Sequence, residues 1–326
     1  MLPPPLQDLI AVRPLPPSHV ATVIGRPLDA GALAAFAACL AGHGWRPLGG
    51  EWLSLPGSPR GCLEVALAGD EASLPALRED CLALTGERAL DICLQPEGPL
   101  RRHRRLAVFD MDSTLIEAEV IDELAGAAGV REAVSAVTEQ AMRGEIDFRQ
   151  SFRARLATLR GLDSQCLDDI AAGLRLVDGA RQLVATLRAL GVHTAILSGG
   201  FDYFARDVQR RLGIHEVHAN RLALVDGALS GEAVEPIVDG ARKAELLREI
   251  AAREGLTPAH VLAVGDGAND LPMLAEAGLG VAFRAKPLVR ASARQALSHF
   301  GLDCVLFLLG VPERHWVAGR DAEAGP

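Results

Sequence analysis

The spacing of apolar and polar positions changes character near residue 100. Upstream, strand-like apolar runs and helix-length amphipathic stretches follow one another in the order strand–helix–strand–strand–helix–strand. His19 to Gly25 is apolar and β-rich, and Asp29 is placed to cap an Ala-rich helix from about 30 to 42. Residues 45–54 and 61–68 read as two strands joined by Pro56-Gly57-Ser58-Pro59. Glu71 to Leu84 carries a helical pattern closed by Gly86, and Ala89 to Leu94 is a last strand. Pro96-Glu97-Gly98-Pro99 punctuates the chain. Downstream, Leu106-Ala107-Val108-Phe109 and segments near 192–197, 261–265 and 279–283 read as buried parallel strands. Helices near 179–190, 202–212, 240–254 and 270–277 separate them. Residues 221–235 read as an antiparallel excursion whose turn lies in Val225-Asp226-Gly227-Ala228-Leu229. Between Ile116 and about 178 the pattern is almost wholly helical.

These patterns predict an irregular Pro-rich arm over 1–17 and a small α+β domain of ferredoxin-like order over 18–96. A linker over 97–105 leads to an α/β domain over 106–310, a doubly wound parallel sheet, and then to a tail over 311–326. A helical cap at about 117–178 is inserted after the first strand of that domain, over the C-terminal ends of the strands, where such sheets bind ligands. The N-terminal order is similar in topology to ACT-type amino-acid-binding modules, which leaves effector binding, homodimerisation and simple packing open.

Composition narrows the setting. Of the 326 residues, 49% are hydrophobic, enough for a sizeable core, and no run of about 18 apolar residues predicts a membrane span. Met1-Leu2-Pro3-Pro4-Pro5 lacks a basic segment followed by an apolar one, so no leader is expected. The net charge of −9 argues against nucleic acid as a partner. Arg101-Arg102-His103-Arg104-Arg105 is the exception and reads as a solvated linker. The six cysteines (39, 62, 81, 93, 166, 304) show no CxxC or metal-ligand spacing; they read as small buried hydrophobes in a reducing cytoplasm. His103, His193, His215, His218 and His260 likewise suggest no metal site. Only two of the 33 basic residues are lysines, Lys243 and Lys286, and a compact ammonium does what a planar guanidinium cannot. Lys286 reads either as a partner of an acidic loop residue such as Asp270 or as a surface lysine.

The chemistry concentrates where strands end. Asp110-Met111-Asp112-Ser113-Thr114 puts two carboxylates at the end of the first parallel strand, where like charges repel unless a cation or proton intervenes. Ser198-Gly199-Gly200, Lys243 near a helix start, and Gly265-Asp266-Gly267-Ala268-Asn269-Asp270 supply three further loops. Together they read as a phosphoryl-transfer site. Asp110 and Asp266 would hold Mg²⁺, a hard cation that prefers oxygen. Lys243, Ser198 and backbone N–H groups near 111–112 and 199 would take the phosphate charge. Asp110 would attack phosphorus, and Asp112 would protonate the leaving oxygen and later deprotonate water. A binding protein on an inactive core would lack Asp110 or Asp112, and both are present.

The motifs FDMDSTL, SGG, the lysine and GDGAND resemble the haloacid-dehalogenase-like phosphohydrolases. Glu119, Ile121-Asp122-Glu123, Met142-Arg143-Gly144-Glu145, Asp147-Phe148, Ser151, Arg155, Phe201 and Ala219-Asn220-Arg221-Leu222 extend the resemblance to the branch that hydrolyses O-phospho-L-serine at the end of serine biosynthesis. It covers about 106–310 without a departure at a catalytic position. It implies Asp110 as nucleophile and Asp112 as acid/base. The implied Mg²⁺ ligands are Asp110, the Asp112 carbonyl and Asp266, and the implied substrate contacts Glu119, Arg155, Ser198, Gly199, Lys243 and Asn269. Glu119 would accept from the substrate ammonium, Arg155 would grip its carboxylate, and Met142 and Phe148 would wall the pocket. Arg149, Arg153 and Arg160 lie near Arg155, and only the family pattern separates them. A phosphatase or phosphotransferase for another small phosphomonoester, such as phosphohomoserine, would use the same pair.

Overall fold

The computed structural model describes residues 16–319. The arm expected over 1–17 and the tail expected over 311–326 therefore lie partly outside the described residues. The N-terminal unit holds β1 (His19–Gly25), α1 (Ala30–Gly42), β2 (Arg46–Trp52), β3 (Gly61–Ala68), α2 (Leu74–Arg88) and β4 (Asp91–Pro96). Its antiparallel sheet runs β2-β3-β1-β4, the split βαβ order that the sequence pattern predicts. Asp29 does cap α1, accepting from Ala32 N at 2.8 Å. Helix α2 starts later than expected, after a 3₁₀ turn capped by Asp70, and runs through Gly86 to Arg88. It stops where Ala89 turns left-handed at φ 51°, because a glycine costs a helix only about 1 kcal/mol and does not by itself end one.

Every residue of β1 is buried, because both faces of this sheet are covered. Ala21 and Val23 pack toward α1 and α2 with Phe36, Leu40 and Leu77. Ile24, Cys62 and Cys93 join the main core, beside Leu302, Cys304 and Phe307.

The main sheet has six parallel strands in the order β12-β11-β10-β5-β6-β7. They are β5 (Leu106–Phe109), β6 (His193–Phe201), β7 (Glu216–Asn220), β10 (Val261–Gly265), β11 (Leu279–Phe283) and β12 (Gln295–Leu297). The chain reverses direction of travel across the sheet beside β5, so ligands belong at the C-terminal ends of β5, β6 and β10. Between β5 and β6 lie four cap helices, α3 (Val120–Ala127), α4 (Arg131–Met142), α5 (Phe148–Thr158) and α6 (Cys166–Gly173), followed by the core helix α7 (Ala180–Ala189). The core helix α8 (Asp202–Leu212) follows β6. The excursion is a hairpin of β8 (Leu222–Val225) and β9 (Ala228–Ala233), turned by Asp226 and Gly227 at φ 49° and 82°. Helix α9 (Gly240–Arg253) then leads to β10, and α10 (Leu271–Glu276) to β11.

The arginine run is only partly solvated: Arg102, His103 and Arg105 are exposed, but the run is also anchored at Arg101 and Arg104. Arg101 is 2% exposed and donates to Glu64 at 3.0 Å and Glu97 at 3.1 Å. Arg102 also reaches Glu64, at 2.6 Å, while Arg104 binds the carbonyls of Ala259 and Gly278. The run staples the N-terminal sheet to the parallel core.

Candidate active site

Strand β5 ends at Phe109, and the next peptide stays in register: Asp110 N donates to Val264 O at 2.9 Å. That bond aligns the acidic loops after β5 and β10. Lys243, on the first turn of α9, reaches between them and is fully buried. Its Nζ donates to Asp110 Oδ1 at 2.6 Å and to Asp270 Oδ1 at 2.7 Å. Burial alone would strip the proton from Lys243; Asp110 and Asp270 reverse this and hold its pKa above the ordinary lysine value. Asp270 also accepts from the backbone N–H groups of Asp266 and Gly267, at 3.1 and 2.9 Å, which closes the loop after β10. Lys286, by contrast, is exposed, and the pairing with Asp270 considered from sequence is taken by Lys243.

Asp110, Asp266 and Asp270 bring carboxylate oxygens within 4.8 Å of one another. Burial and the charge of Asp270 push the Asp110 carboxyl well above the usual carboxylate range, against the pull of Lys243. Burial and Asp270 push Asp266 up to about 7, although Thr114 donates to its Oδ1 at 2.9 Å. Crowded anions in a dry site are what a divalent cation relieves, and an all-oxygen donor set fits a hard ion. Sequence reasoning had not counted Asp270 among the metal-facing carboxylates; its position in the same loop as Asp266 was the available signal.

The Asp112 carboxylate stands apart from that cluster. Its Oδ1 is buried without a hydrogen-bond partner. Burial, then Glu119 and Asp110, push its pKa well above the ordinary value. The next residue, Ser113, adopts φ 56°, uncommon for a side-chain-bearing residue, and its Oγ donates to Glu119 Oε1 at 2.7 Å. Across the cleft, Ser198 is buried and its Oγ accepts from Gly200 N at 2.9 Å. The two glycines are required by proximity. A Cβ on Gly200 would lie 2.6 Å from Asp112 Oδ2, and one on Gly199 2.9 Å from Phe148 Cζ. Asn269 is half-buried in the same loop as Asp266, its carbonyl against Gly240 at the start of α9.

The cap brings α5 over this cleft. Phe148 stacks on Phe152, with ring centroids 6.3 Å apart, and Phe152 meets Phe201 behind the glycine loop. Four arginines of the α5 region had looked alike in sequence. Arg149, Arg153 and Arg160 are spent on surface pairs with Asp239, Glu235 and Glu232, at 2.5, 2.5 and 3.4 Å. Arg155 turns inward. Its Nε is buried without a partner, and Glu119, Asp122 and Asp112 counter the burial that lowers its pKa. Met142 ends α4, and its side chain is outside what the structure describes.

Two carboxylates at one strand end, a buried ammonium and a crowded acidic pocket on a doubly wound sheet fit the class of phosphoryl-transfer hydrolases. A family profile agrees: haloacid dehalogenase-like hydrolase matches residues 105–278, and the chain belongs to that family. Within it, the chain groups with the phosphoserine phosphatases. It is 42% identical to phosphoserine phosphatase SerB2 of Mycobacterium tuberculosis, over 98% of this chain and 77% of that one. It is 45% identical to phosphoserine phosphatase of Streptomyces coelicolor, over 89% and 70%. Among solved structures, a probable phosphoserine phosphatase from Vibrio cholerae superposes with TM-score 0.73 and 31% identity, over 95% of this chain and 94% of that one. A phospho-aspartyl intermediate analogue of phosphoserine phosphatase matches 63% of this chain and 98% of that one, with TM-score 0.59 and 37% identity. Among the described residues no helix is long and apolar enough to cross a membrane.

Proposed function

We propose that this chain hydrolyses O-phospho-L-serine to L-serine and phosphate, the closing step of serine biosynthesis, through an aspartyl-phosphate on Asp110. The observation that carries the reading is the buried, unpartnered Nε of Arg155 within the electrostatic reach of Glu119 and Asp112: a cation and an anion suited to the two charged ends of an amino acid, near the carboxylates proposed for the chemistry. The relatives named above support it.

In the first step an Asp110 oxygen bonds to phosphorus as the bond to the serine oxygen breaks. The Asp112 carboxyl, whose pKa is raised by burial and then by Glu119 and Asp110, hands its proton to that oxygen, and L-serine leaves. In the second step Asp112, now a carboxylate, takes a proton from the water that attacks phosphorus; the bond to Asp110 breaks and phosphate is released. Lys243, Ser198 and the Gly199 N–H offset the charge on the phosphate oxygens throughout. Asp110, the Asp112 carbonyl and Asp266 would hold Mg²⁺, with Asp270 beside them, and the ion supplies Lewis-acid charge to the phosphate when bound. Asn269 would reach the same phosphate, while Phe148 excludes water over it.

Residues 18–96 and 106–310 act as two domains in this reading, with 117–178 as the cap. The first would pair two chains, since β2 is an edge strand and carries Trp52 at 40% exposure. Free thiols at all six cysteines suit a reducing cytoplasm. The test is phosphate release from phosphoserine with Mg²⁺, beside phosphohomoserine and the variant Asp110→Asn. We expect turnover of phosphoserine, a much lower kcat/KM for phosphohomoserine, and none in the variant. Activity that survives Asp110→Asn would refute the covalent route.

A further inference from the structure

Strand β6 leaves its ladder for three residues. Leu197 pairs with His218 and Phe201 with Asn220, so Ser198, Gly199 and Gly200 bulge out where the neighbouring strand advances only two positions. A bulge strands backbone groups, and here Ser198 is buried and Gly199 and Gly200 half-buried, so those groups need partners. Asn220, 1% exposed at the end of β7, fills the gap. Its Nδ2 donates to Gly199 O at 2.8 Å, and its Oδ1 accepts from Val238 N at 2.7 Å.

Those two partners are not ordinary core. Gly199 is the peptide on which Phe148 of the cap rests, close to the Val238 carbonyl. Val238 opens the turn into α9. Asp239 caps that helix, accepting from Arg242 N at 2.9 Å, and Lys243 N closes its first turn on Asp239 O at 2.9 Å. From Val238 to Lys243 the chain has no slack.

We infer that Asn220 is a positioning residue: one buried carboxamide clamps the glycine loop to the lysine helix and so sets the gap in which a phosphate group is held. This rests on the phosphatase reading above and extends it to a residue that touches neither substrate nor metal. Only a carboxamide of this length donates at one end and accepts at the other. Asn220→Asp keeps the acceptor for Val238 N but denies Gly199 O its donor; Asn220→Ala denies both.

The test is binding of inorganic phosphate to the Mg²⁺-loaded protein by calorimetry, with kinetics on phosphoserine and on phospholactate, which lacks the ammonium. Both variants should weaken phosphate binding about tenfold, the cost of one or two misplaced hydrogen bonds. The ratio of kcat/KM between the two esters should stay at the wild-type value, because Glu119 and Arg155 are untouched. Phosphate affinity within about twofold of wild type, alongside a lowered melting temperature, would make Asn220 a packing residue and overturn the inference. If Asn220→Ala does not fold, the isosteric Asn220→Asp decides. A wild-type protein that binds phosphate without hydrolysing phosphoserine would refute the substrate reading alone, since the phosphate affinities still judge the clamp.

Discussion

Arg155 shows how a side chain acquires a role from what its neighbours are already doing. Four arginines follow one another through the α5 region, and three are occupied by carboxylates on the hairpin and on the turn before α9. Exposed pairs of that kind contribute little to stability. Arg155 is half-buried, and an unpaired donor in such a place costs more than it returns until an anion arrives. The expected outcome is therefore asymmetric. Arg155→Lys should raise KM for phosphoserine about tenfold or more, because an ammonium cannot make the bidentate grip, with a smaller change in kcat. Arg153→Ala should leave both within about twofold, consistent with an exposed pair. Steady-state kinetics on the two variants checks this. Sequence alone left these arginines equal, since spacing along a helix does not say which turn faces an occupied neighbour. The acidic positions were different: Asp110, Asp112 and Asp266 were legible because a strand end followed by carboxylates and glycines has few structural uses.

At the scale of elements, long periodic segments were legible and short edge segments were not. Helices α1, α8 and α9 lie where periodicity places them, because each sets one apolar face against a sheet. Strands β7 and β12 were missed. One is half-buried and polar at the sheet margin, and the other has three residues, too few for any period. Strand β7 is held partly by charge. Glu216 accepts from His193 at 2.7 Å, from His218 at 3.0 Å and from Arg253 at the end of α9. Burial opposes its ionisation, yet these three partners hold its pKa below the ordinary 4.5. Folding thus favours the deprotonated form, so the contribution is full above that ordinary value and is lost as pH falls through the lower folded one. Glu216→Gln should lower the melting temperature at pH 7, and the gap to wild type should close as the pH falls below the ordinary 4.5 and through the lower folded value. Thermal melts across that range test it; a gap that stays constant with pH would remove the carboxylate from the account.

Across the whole molecule, polar groups reinforce the apolar contact between the N-terminal sheet and the parallel sheet. Asp91 accepts from Ser298 N and His299 N at 2.8 and 3.0 Å, and Gln95 and Gln295 reach across to Leu308 O and Leu94 O at 2.9 and 2.6 Å. Arg60 pairs with Asp303, and Arg101 with Glu64, all largely buried. Glu64→Gln removes one of the two carboxylates that balance the buried Arg101, Glu97 remaining, and should destabilise the protein by about 1.5–3 kcal/mol, the range of a hydrogen bond to a charged group. Urea unfolding measures it. The same loss in a single cooperative transition would show that the N-terminal unit and the phosphatase core unfold together.

The sequence by itself determined the two sheet types, the helical insertion and the acidic strand ends, because periodicity and strand-end chemistry are local properties carried by neighbouring residues. Only the tertiary structure decided that Lys243 bridges Asp110 and Asp270, that Arg155 rather than its neighbours turns inward, and that Arg101 of an arginine-rich junction is buried. Each of those depends on which distant groups share a dry space, and there the balance of burial against partners settles what a charge does.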